Sequence, residues 1–183
     1  MAVNNFVKFK EYKVMTDQQT DYWQRALDVI HKHGFAVQHV MAGQDPTIDP
    51  SLSYTVGLSS KGLPELITIG LYQEAAHEFL NTIANRMLDG VLKADDGTIV
   101  IEVANLPLCL KSVDLATAGE YAFGSCRFAG EHGYPLSFLQ VVFPDAKGIF
   151  SWQAGCDPAM AEMQHLQKML PDSSAPIDRS KLH

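Results

Sequence analysis

The chain has 183 residues, of which 46% are hydrophobic and 19% charged, a balance that lets one domain bury most of its apolar surface in a single core. Its formal net charge of -7 argues against nucleic acid or an anionic membrane as a partner, because clustered lysine and arginine drive such binding. No apolar run approaches the roughly 20 residues that cross a bilayer, and the N-terminus does not follow the order of a signal peptide, so we expect a cytoplasmic protein.

The first predicted elements are one helix and three strands. Apolar residues recur at three- and four-residue spacing after Thr16 and stop at Gly34, which predicts an amphipathic helix that ends at a glycine cap. The alternation of apolar and polar residues over 35–41 is typical of a strand. Residues 52–58 and 63–70 are predicted as two further strands, and the turn between them, which contains glycine and proline, favours an antiparallel hairpin.

The rest of the chain is predicted to contain three helices and four short strands. The predicted helices cover 72–89, 114–129 and 157–170, and the predicted strands cover 98–103, 106–113, 137–143 and 149–153. Asp114 and Asp157 are expected to cap their helices, since an aspartate oxygen accepts hydrogen bonds from the first free N–H groups. Residues 171–183 have too little apolar surface to offset chain entropy, so we expect one globular domain over 1–170 and a disordered C-terminal tail.

The order of these elements predicts the fold class. Helices and strands do not alternate regularly, and no glycine-rich turn joins a strand to a helix, which argues against a doubly wound α/β fold. We therefore expect a single α+β domain with a mainly antiparallel sheet and about four helices packed on it.

The sequence lacks the spacings that mark metal, nucleophile or phosphate chemistry. His31 and His33 are two residues apart and point in different directions on a helix, so they do not form the i, i+4 pair of an HExxH zinc site. The chain has neither a G-x-S-x-G elbow nor a GxxxxGK[ST] phosphate loop. We expect no metal and no cofactor, and the sequence assigns no catalytic residue.

One cysteine has a cation and a base close to it in the sequence. Cys126 is followed by Arg127 and then by His132, an arrangement that can activate a thiolate. The alternative, which we favour, is that Cys126 lies on the apolar face of its helix. With Cys109 and Cys156 it forms neither a disulfide framework nor a CxxC metal motif.

Two carboxylates and one tryptophan are further candidates. Glu65 stands between Pro64 and an apolar strand, where it is either fixed at the rim of a pocket or solvated in a turn. Asp145 follows the strand over 137–143, and it either serves a site or accepts hydrogen bonds from the amides of the next turn. Trp152 either lines a pocket or packs in the core.

Three motifs taken together resemble the signature of a known family. They are Tyr54-Thr-Val-Gly-Leu58, Leu63-Pro-Glu-Leu66, and Leu139-Gln-Val-Val142 followed by Pro144-Asp145, Gly148 and Trp152. Their order and spacing, over about residues 34–153, are similar to those of the bacterial family catalogued as domain of unknown function 4262. The chain departs from that pattern at Leu63, where such proteins often have histidine, and at Ser151, where they often have proline.

The resemblance implies positions of interest and no established activity. Glycine and proline in the motifs are explained by backbone shape, whereas the polar and aromatic side chains need another reason. These side chains are the candidate ligand-binding residues: Tyr54, Thr55, Glu65, Gln140, Asp145 and Trp152.

Three functions are open from the sequence. The first, which we favour, is a module that binds a small molecule or a protein segment through this polar cluster without covalent chemistry. The second is a hydrolase or isomerase with Glu65 or Asp145 as base and Tyr54 as acid or oxyanion donor. The third is a structural or protein-interaction domain that acts as a homo-oligomer. Convergence of Tyr54, Glu65 and Gln140 in an open concavity would favour the first two, and burial against the backbone would favour the third.

Overall fold

The structure, a computed structural model, describes residues 17–40, 51–100 and 107–164. The predicted C-terminal tail over 171–183, the second half of the last predicted helix and most of the loop after the first strand lie outside the described residues.

A six-stranded mixed sheet forms the centre of the domain. Its strands are β1 Ala36–Val40, β2 Leu52–Val56, β3 Glu65–Ile69, β4 Ile99–Val100, β5 Leu108–Val113 and β6 Phe138–Val142. They lie in the order β1-β2-β3-β6-β5-β4, and every neighbouring pair is antiparallel except β3 and β6. The predicted hairpin of β2 and β3 is confirmed, and Tyr54 lies opposite Ile67 in its register.

Within the described ranges, five α-helices and one short 3-10 helix accompany the sheet. The helices are α1 Asp17–His33, α2 Gln73–Leu88, α3 Leu115–Tyr121, α4 Phe123–His132 and α5 Pro158–Met163, and the 3-10 helix is Leu58–Lys61. None of them combines the length and the apolar character needed to cross a bilayer. The α+β class with a mainly antiparallel sheet is therefore confirmed, with five helices where about four were expected.

Two local predictions differ from the structure. The segment predicted as one helix over 114–129 is divided at Ala122, whose backbone (φ -93°, ψ 56°) is not helical. Gly119 and Gly124 lie on either side of this break and lower the helical propensity there. The predicted strand over 149–153 is wrong: this segment forms turns, in which Gln153 N donates to Phe150 O at 2.9 Å.

Helices cover both faces of the sheet. On one face α1, α3 and α4 enclose a core that includes Trp23, Ile67 and Phe138. On the other face α2 packs Leu80 and Ile83 against side chains of β3, β5 and β6. As a result, every residue of β2, β3 and β6 is buried, as is usual for a strand between two helical layers.

Candidate functional site

Glu65, the first residue of β3, is fully buried and bonded to the chain around it. Its Oε2 accepts a hydrogen bond from Thr55 Oγ1 at 2.7 Å. Its Oε1 accepts bonds from the main-chain N–H groups of Gly57 at 2.9 Å and Ser59 at 3.0 Å. Thr55 Oγ1 also accepts a bond from Leu66 N at 2.8 Å. The carboxylate thus holds the start of the 3-10 helix against the end of β2.

The environment of Glu65 suits a positioning role better than proton exchange with a substrate. Burial raises the pKa of its carboxyl, and the hydrogen bonds from Ser59, Thr55 and Gly57 oppose that rise. Both oxygens already have donors within the protein. A substrate would have to displace one of these bonds in a region that water does not reach.

Tyr54 has a partner that the sequence did not suggest. Its hydroxyl donates to Gln38 Oε1 at 2.7 Å and accepts a bond from Gly124 N at 3.3 Å. Gln38 lies directly opposite Tyr54 on β1. The partner is therefore neither Glu65 nor Gln140, the two residues whose convergence with Tyr54 was considered from the sequence. Burial raises the pKa of the Tyr54 hydroxyl, so the group stays protonated.

Gln140 lies fully buried on β6 and connects the sheet to the end of α5. Its Nε2 donates to Gln164 O at 3.0 Å, while its Oε1 has no hydrogen-bond partner among the described residues. The Gln164 side chain in turn bonds the main chain of Phe143 through both of its polar atoms, at 2.9 and 3.0 Å. This arrangement attaches the end of α5 to the main chain just after β6.

Asp145 organises the loop that follows β6. Its Oδ1 accepts bonds from Lys147 N and Ile149 N, both at 2.9 Å, and its Oδ2 accepts one from Asp157 N at 3.1 Å. The bond from the Ile149 N–H is the main reason that the pKa of this carboxyl is lowered. These contacts agree with the second interpretation of Asp145, in which its carboxylate accepts hydrogen bonds from the amides of the next turn.

Trp152 belongs to an aromatic pair beside a lysine. Its ring stacks on Phe150 with centroids 4.8 Å apart and planes inclined by 10°. The Lys111 ammonium lies 5.6 Å from the centre of the Trp152 ring and 3.2 Å from Asp96 Oδ2.

The six candidate residues therefore belong to separate hydrogen-bond networks. Thr55 and Glu65 are in direct contact. Tyr54 belongs to a network with β1 and α4, whereas Gln140, Asp145 and Trp152 contact neither Glu65 nor Tyr54 through any hydrogen bond of the described residues. What the motif residues share is that they attach neighbouring elements to the sheet.

A cavity of about 470 Å³ lies between α1, the 3-10 helix and the C-terminal part of α4. It is lined by Gln24, Leu27, Ile30, His31, Gly34, Ser60, Lys61, Phe128 and Tyr134. None of these is a candidate from the sequence. The signal that could have pointed to them is that Ser60 and Lys61 lie only two and three residues beyond the motif that ends at Leu58.

The motif residues hold the walls of this cavity. Glu65 fixes the 3-10 helix that carries Ser60 and Lys61. The start of α4 is attached to β2 by Gly124 N, which donates to the Tyr54 hydroxyl, and by Ser125 Oγ, which donates to Thr55 O at 2.7 Å.

A glycine allows α1 to approach the 3-10 helix closely. Gly57 has a φ of +120°, and a Cβ at this position would lie 2.9 Å from both Gly34 O and Ile30 Cγ2. Since Gly34 and Ile30 line the cavity, the distance between its walls depends on this contact.

A second polar cluster lies on the α2 side of the sheet. His39 Nδ1 and Ser53 Oγ are 2.8 Å apart, and the rings of His39 and His77 are centred 5.7 Å apart. Partial burial, followed by the charge of His77, lowers the pKa of His39. No three His, Cys, Asp or Glu side chains come together to hold a metal ion anywhere in the part of the chain that is described.

Comparison with known proteins returns one family. A family model described as "Domain of unknown function (DUF4262)" matches residues 29–157. Searches of curated proteins and of solved structures find no significant match. The matched range contains every motif quoted above and most of the residues that line the cavity.

Proposed function

We propose that this chain, which belongs to the family described as domain of unknown function DUF4262, binds a small ligand in the cavity between α1, the 3-10 helix and α4. Because membership of that family implies no reaction, the proposal is argued from the geometry of the cavity. The proposal keeps the binding function favoured from the sequence and moves it from the motif residues to the cavity that they support.

The observation that carries this proposal is the cavity itself. Its volume of about 470 Å³ falls within the range of about 300 to 1,000 Å³ that is usual for sites of small molecules. Apolar side chains that water still reaches form part of its wall, since Leu27 is partly exposed and Tyr134 is 36% exposed. Such a surface gains free energy when a ligand removes water from it.

Polar groups at the cavity can orient a ligand. Gln24, Tyr134 and Lys61 belong to the lining, and their side chains carry an amide, a hydroxyl and an ammonium group. Ser60 Oγ donates to Gly57 O at 2.7 Å and keeps lone pairs with which it can accept a bond from a ligand. A few polar groups around an apolar wall are typical of specific small-molecule sites.

The walls are fixed before any ligand arrives. The contacts of Glu65, Thr55 and Tyr54 hold the 3-10 helix and α4 in place. A ligand therefore does not have to order these elements, and less of its binding free energy is lost in doing so.

Tyr54, Glu65 and Gln140 are buried and bonded within the protein instead of converging in an open concavity, which favours a structural role for these three residues and gives an enzymatic role less support. A hydrolase or isomerase would need Glu65 or Asp145 to exchange a proton with its substrate, yet main-chain N–H groups occupy both carboxylates. A homo-oligomer would also need an apolar face, and the large apolar side chains that are exposed among the described residues lie on several different elements: Tyr22, Val29, Tyr72, Val91, Phe123 and Tyr134. The cysteines Cys109, Cys126 and Cys156 are all free thiols. Thiols stay reduced in the cytoplasm, so this observation supports a cytoplasmic binding domain.

Thermal unfolding in the presence of a metabolite library tests the proposal. A ligand at a hundred times its Kd stabilises the fold by about 2.7 kcal/mol, which raises the Tm of a domain of this size by roughly 5 to 10 °C. Each compound that raises the Tm is then mapped by NMR, and we expect the amides of His31, Gly34 and Lys61 to shift.

Two matched variants locate the binding site. Gln24→Trp places a large side chain at the exposed rim of the cavity, and we expect it to abolish the Tm shift. Arg25→Trp adds the same side chain to the next exposed position of α1, outside the lining, and should leave the shift unchanged. An equal shift in both variants would place the ligand elsewhere, and the absence of any stabilising compound would reject small-ligand binding.

A further inference from the structure

We propose that the ligand of this cavity is an organic monocarboxylate with a planar apolar body, its carboxylate paired with Lys61 and its ring placed against Leu27 and Tyr134. This inference rests on the proposed binding function and specifies the chemical class of the ligand.

The charges of the lining favour an anion. The chain carries 21 Asp and Glu residues against 14 Lys and Arg residues, yet the lining contains Lys61 and no Asp or Glu. Neither Lys61 nor His31 has an ion-pair partner among the described residues. Asp28, which accepts a bond from Gln24 Nε2 at 3.1 Å, does not line the cavity. A cationic group without a partner in an acidic protein is suited to a negatively charged ligand.

Two helix ends at the cavity oppose this preference only weakly. The C-terminal ends of α1 and α4 each carry a partial negative charge of about half a unit. One terminal carbonyl of each helix is already bonded, since Gly34 N donates to Ile30 O at 2.7 Å and Tyr134 N donates to Ala129 O at 2.9 Å. The two partial charges together equal about one unit, but each is spread over the last turn of its helix, whereas the Lys61 charge is concentrated on one ammonium group that can pair directly with a carboxylate.

The apolar part of the lining favours a flat ring. Phe128 and Tyr134 both line the cavity, with ring centroids 5.7 Å apart. The His132 ring supports them, 4.6 Å from Phe128 and parallel to Tyr134 within 1°. Leu27 and Ile30 contribute aliphatic surface from α1. A planar ring can stack on such an aromatic surface and bury its other edge against the aliphatic groups.

The exposure of the lining sets the orientation of the ligand. Lys61 is exposed at the end of the 3-10 helix, whereas Leu27 is only partly exposed. A carboxylate at the rim keeps part of its hydration and avoids the cost of full desolvation. Because an exposed ion pair contributes little, we expect it to set a preference among ligands of roughly five-fold in Kd.

Four probe compounds distinguish the contribution of the ligand's charge to binding from the contribution of its ring. They are indole-3-acetate, indole-3-acetamide, tryptamine and acetate, of which the first three share one ring and differ in charge. Each is titrated into the full chain and followed by NMR at the amides of the lining residues. We expect indole-3-acetate to bind roughly five-fold more tightly than the neutral amide, tryptamine to bind most weakly of the three, and acetate alone to cause no shift.

A pair of lysine variants tests the role of Lys61. Lys61→Gln should remove the preference for indole-3-acetate over indole-3-acetamide while both still bind. Lys32→Gln removes the same charge from an exposed position of α1 outside the lining and should keep the preference. Added salt should weaken the binding of indole-3-acetate alone, since screening acts on the ion pair.

The outcomes distinguish this inference from the proposed function. Binding of tryptamine or the amide at the cavity with affinity equal to or higher than that of indole-3-acetate would overturn the ligand class and leave the binding function standing. Absence of binding by all four probes would also overturn the ligand class, and the library screen would then decide the binding function by itself. If no probe binds and no library compound stabilises the protein, both the ligand class and the binding function are rejected.

Discussion

Thr55 Oγ1 lies 2.7 Å from Glu65 Oε2 and donates its hydrogen to this buried carboxylate. The same hydroxyl accepts a bond from Leu66 N, so a single threonine joins β2, β3 and the carboxylate that holds the 3-10 helix. The most polar part of the family motif is thus an internal attachment. Its effect on function is indirect, through the placement of Ser60 and Lys61 at the cavity.

Glu65 should make the stability of the protein depend on pH. Burial raises the pKa of its carboxyl, so the folded state binds the proton more tightly than the unfolded chain, in which the pKa is about 4.3. The stabilisation by this proton is fully present below that unfolded value and is lost as the pH rises through the folded pKa. Glu65→Gln cannot titrate. We therefore expect the free energy of unfolding of the wild type, minus that of Glu65→Gln, to decrease as the pH rises above about 4 and then to level off.

Urea unfolding of both proteins between pH 4 and pH 8 measures this difference. Glu78→Gln, at an exposed position of α2, controls for the loss of one negative charge. A difference that increases with pH would show instead that the three donors outweigh burial and hold the pKa of Glu65 below its ordinary range.

Gly57 should tolerate substitution far less than Gly62. Both have positive φ angles, +120° and +69°, but a Cβ on Gly57 would lie 2.9 Å from Gly34 O, whereas a Cβ on Gly62 would meet nothing within 4 Å. We expect Gly57→Ala to cost more than about 3 kcal/mol in the free energy of unfolding, from backbone strain and overlap together. Gly62→Ala should cost about 1 kcal/mol, from the left-handed conformation alone. Equal costs in urea unfolding would show that the contact between α1 and the 3-10 helix is not tight.

Gly124 and Gln38 should be energetically coupled. Alanine ordinarily stabilises a helix position relative to glycine by about 1 kcal/mol, but a Cβ on Gly124 would lie 3.0 Å from Gln38 Cδ and closer still to Gln38 Oε1. The Gln38 side chain cannot move away without losing its bond from the Tyr54 hydroxyl. We expect Gly124→Ala to destabilise the wild type by about 1 to 3 kcal/mol and to be neutral or stabilising in a Gln38→Ala background.

A double-mutant cycle measured by urea unfolding gives the coupling directly. Additive costs of the two substitutions would show that Gln38 does not limit the space at Gly124.

The three thiols should differ in reactivity. Burial raises the pKa of Cys126 to about 11 and that of Cys109 to about 12, so both are protonated and inaccessible near neutral pH. Arg127 does not activate Cys126, because its guanidinium lies 2.7 Å from Glu131 and 4.5 Å from the centre of the Trp23 ring. Cys156 is only partly buried. With a thiol reagent at pH 8, we expect one fast reaction in the native protein and two more after unfolding.

Cys156→Ser should remove the fast reaction and leave the other two. A fast reaction that persists in this variant would show that Cys126 or Cys109 is reached in the folded state.

Local sequence signals determined most of the secondary structure. The periodicity that predicted the first helix and the helix over 72–89 is confirmed by α1 and α2. The caps are confirmed as well, since Asp114 accepts a bond from Thr117 N and Asp157 accepts one from Ala159 N. Such signals act within one or two turns of the chain, so no distant contact is needed to interpret them. The family, recognised from three motifs, is confirmed by the match over residues 29–157.

Tertiary structure alone decided which residues meet. The sequence placed Tyr54 on the predicted strand over 52–58, but the pairing of β1 with β2 selected Gln38 as its partner. Strand periodicity defines which face a side chain occupies and carries no information about the register of the next strand. For the same reason the cavity was not predicted: its lining comes from segments as distant as Gln24 and Tyr134, and their approach depends on packing over the whole sheet.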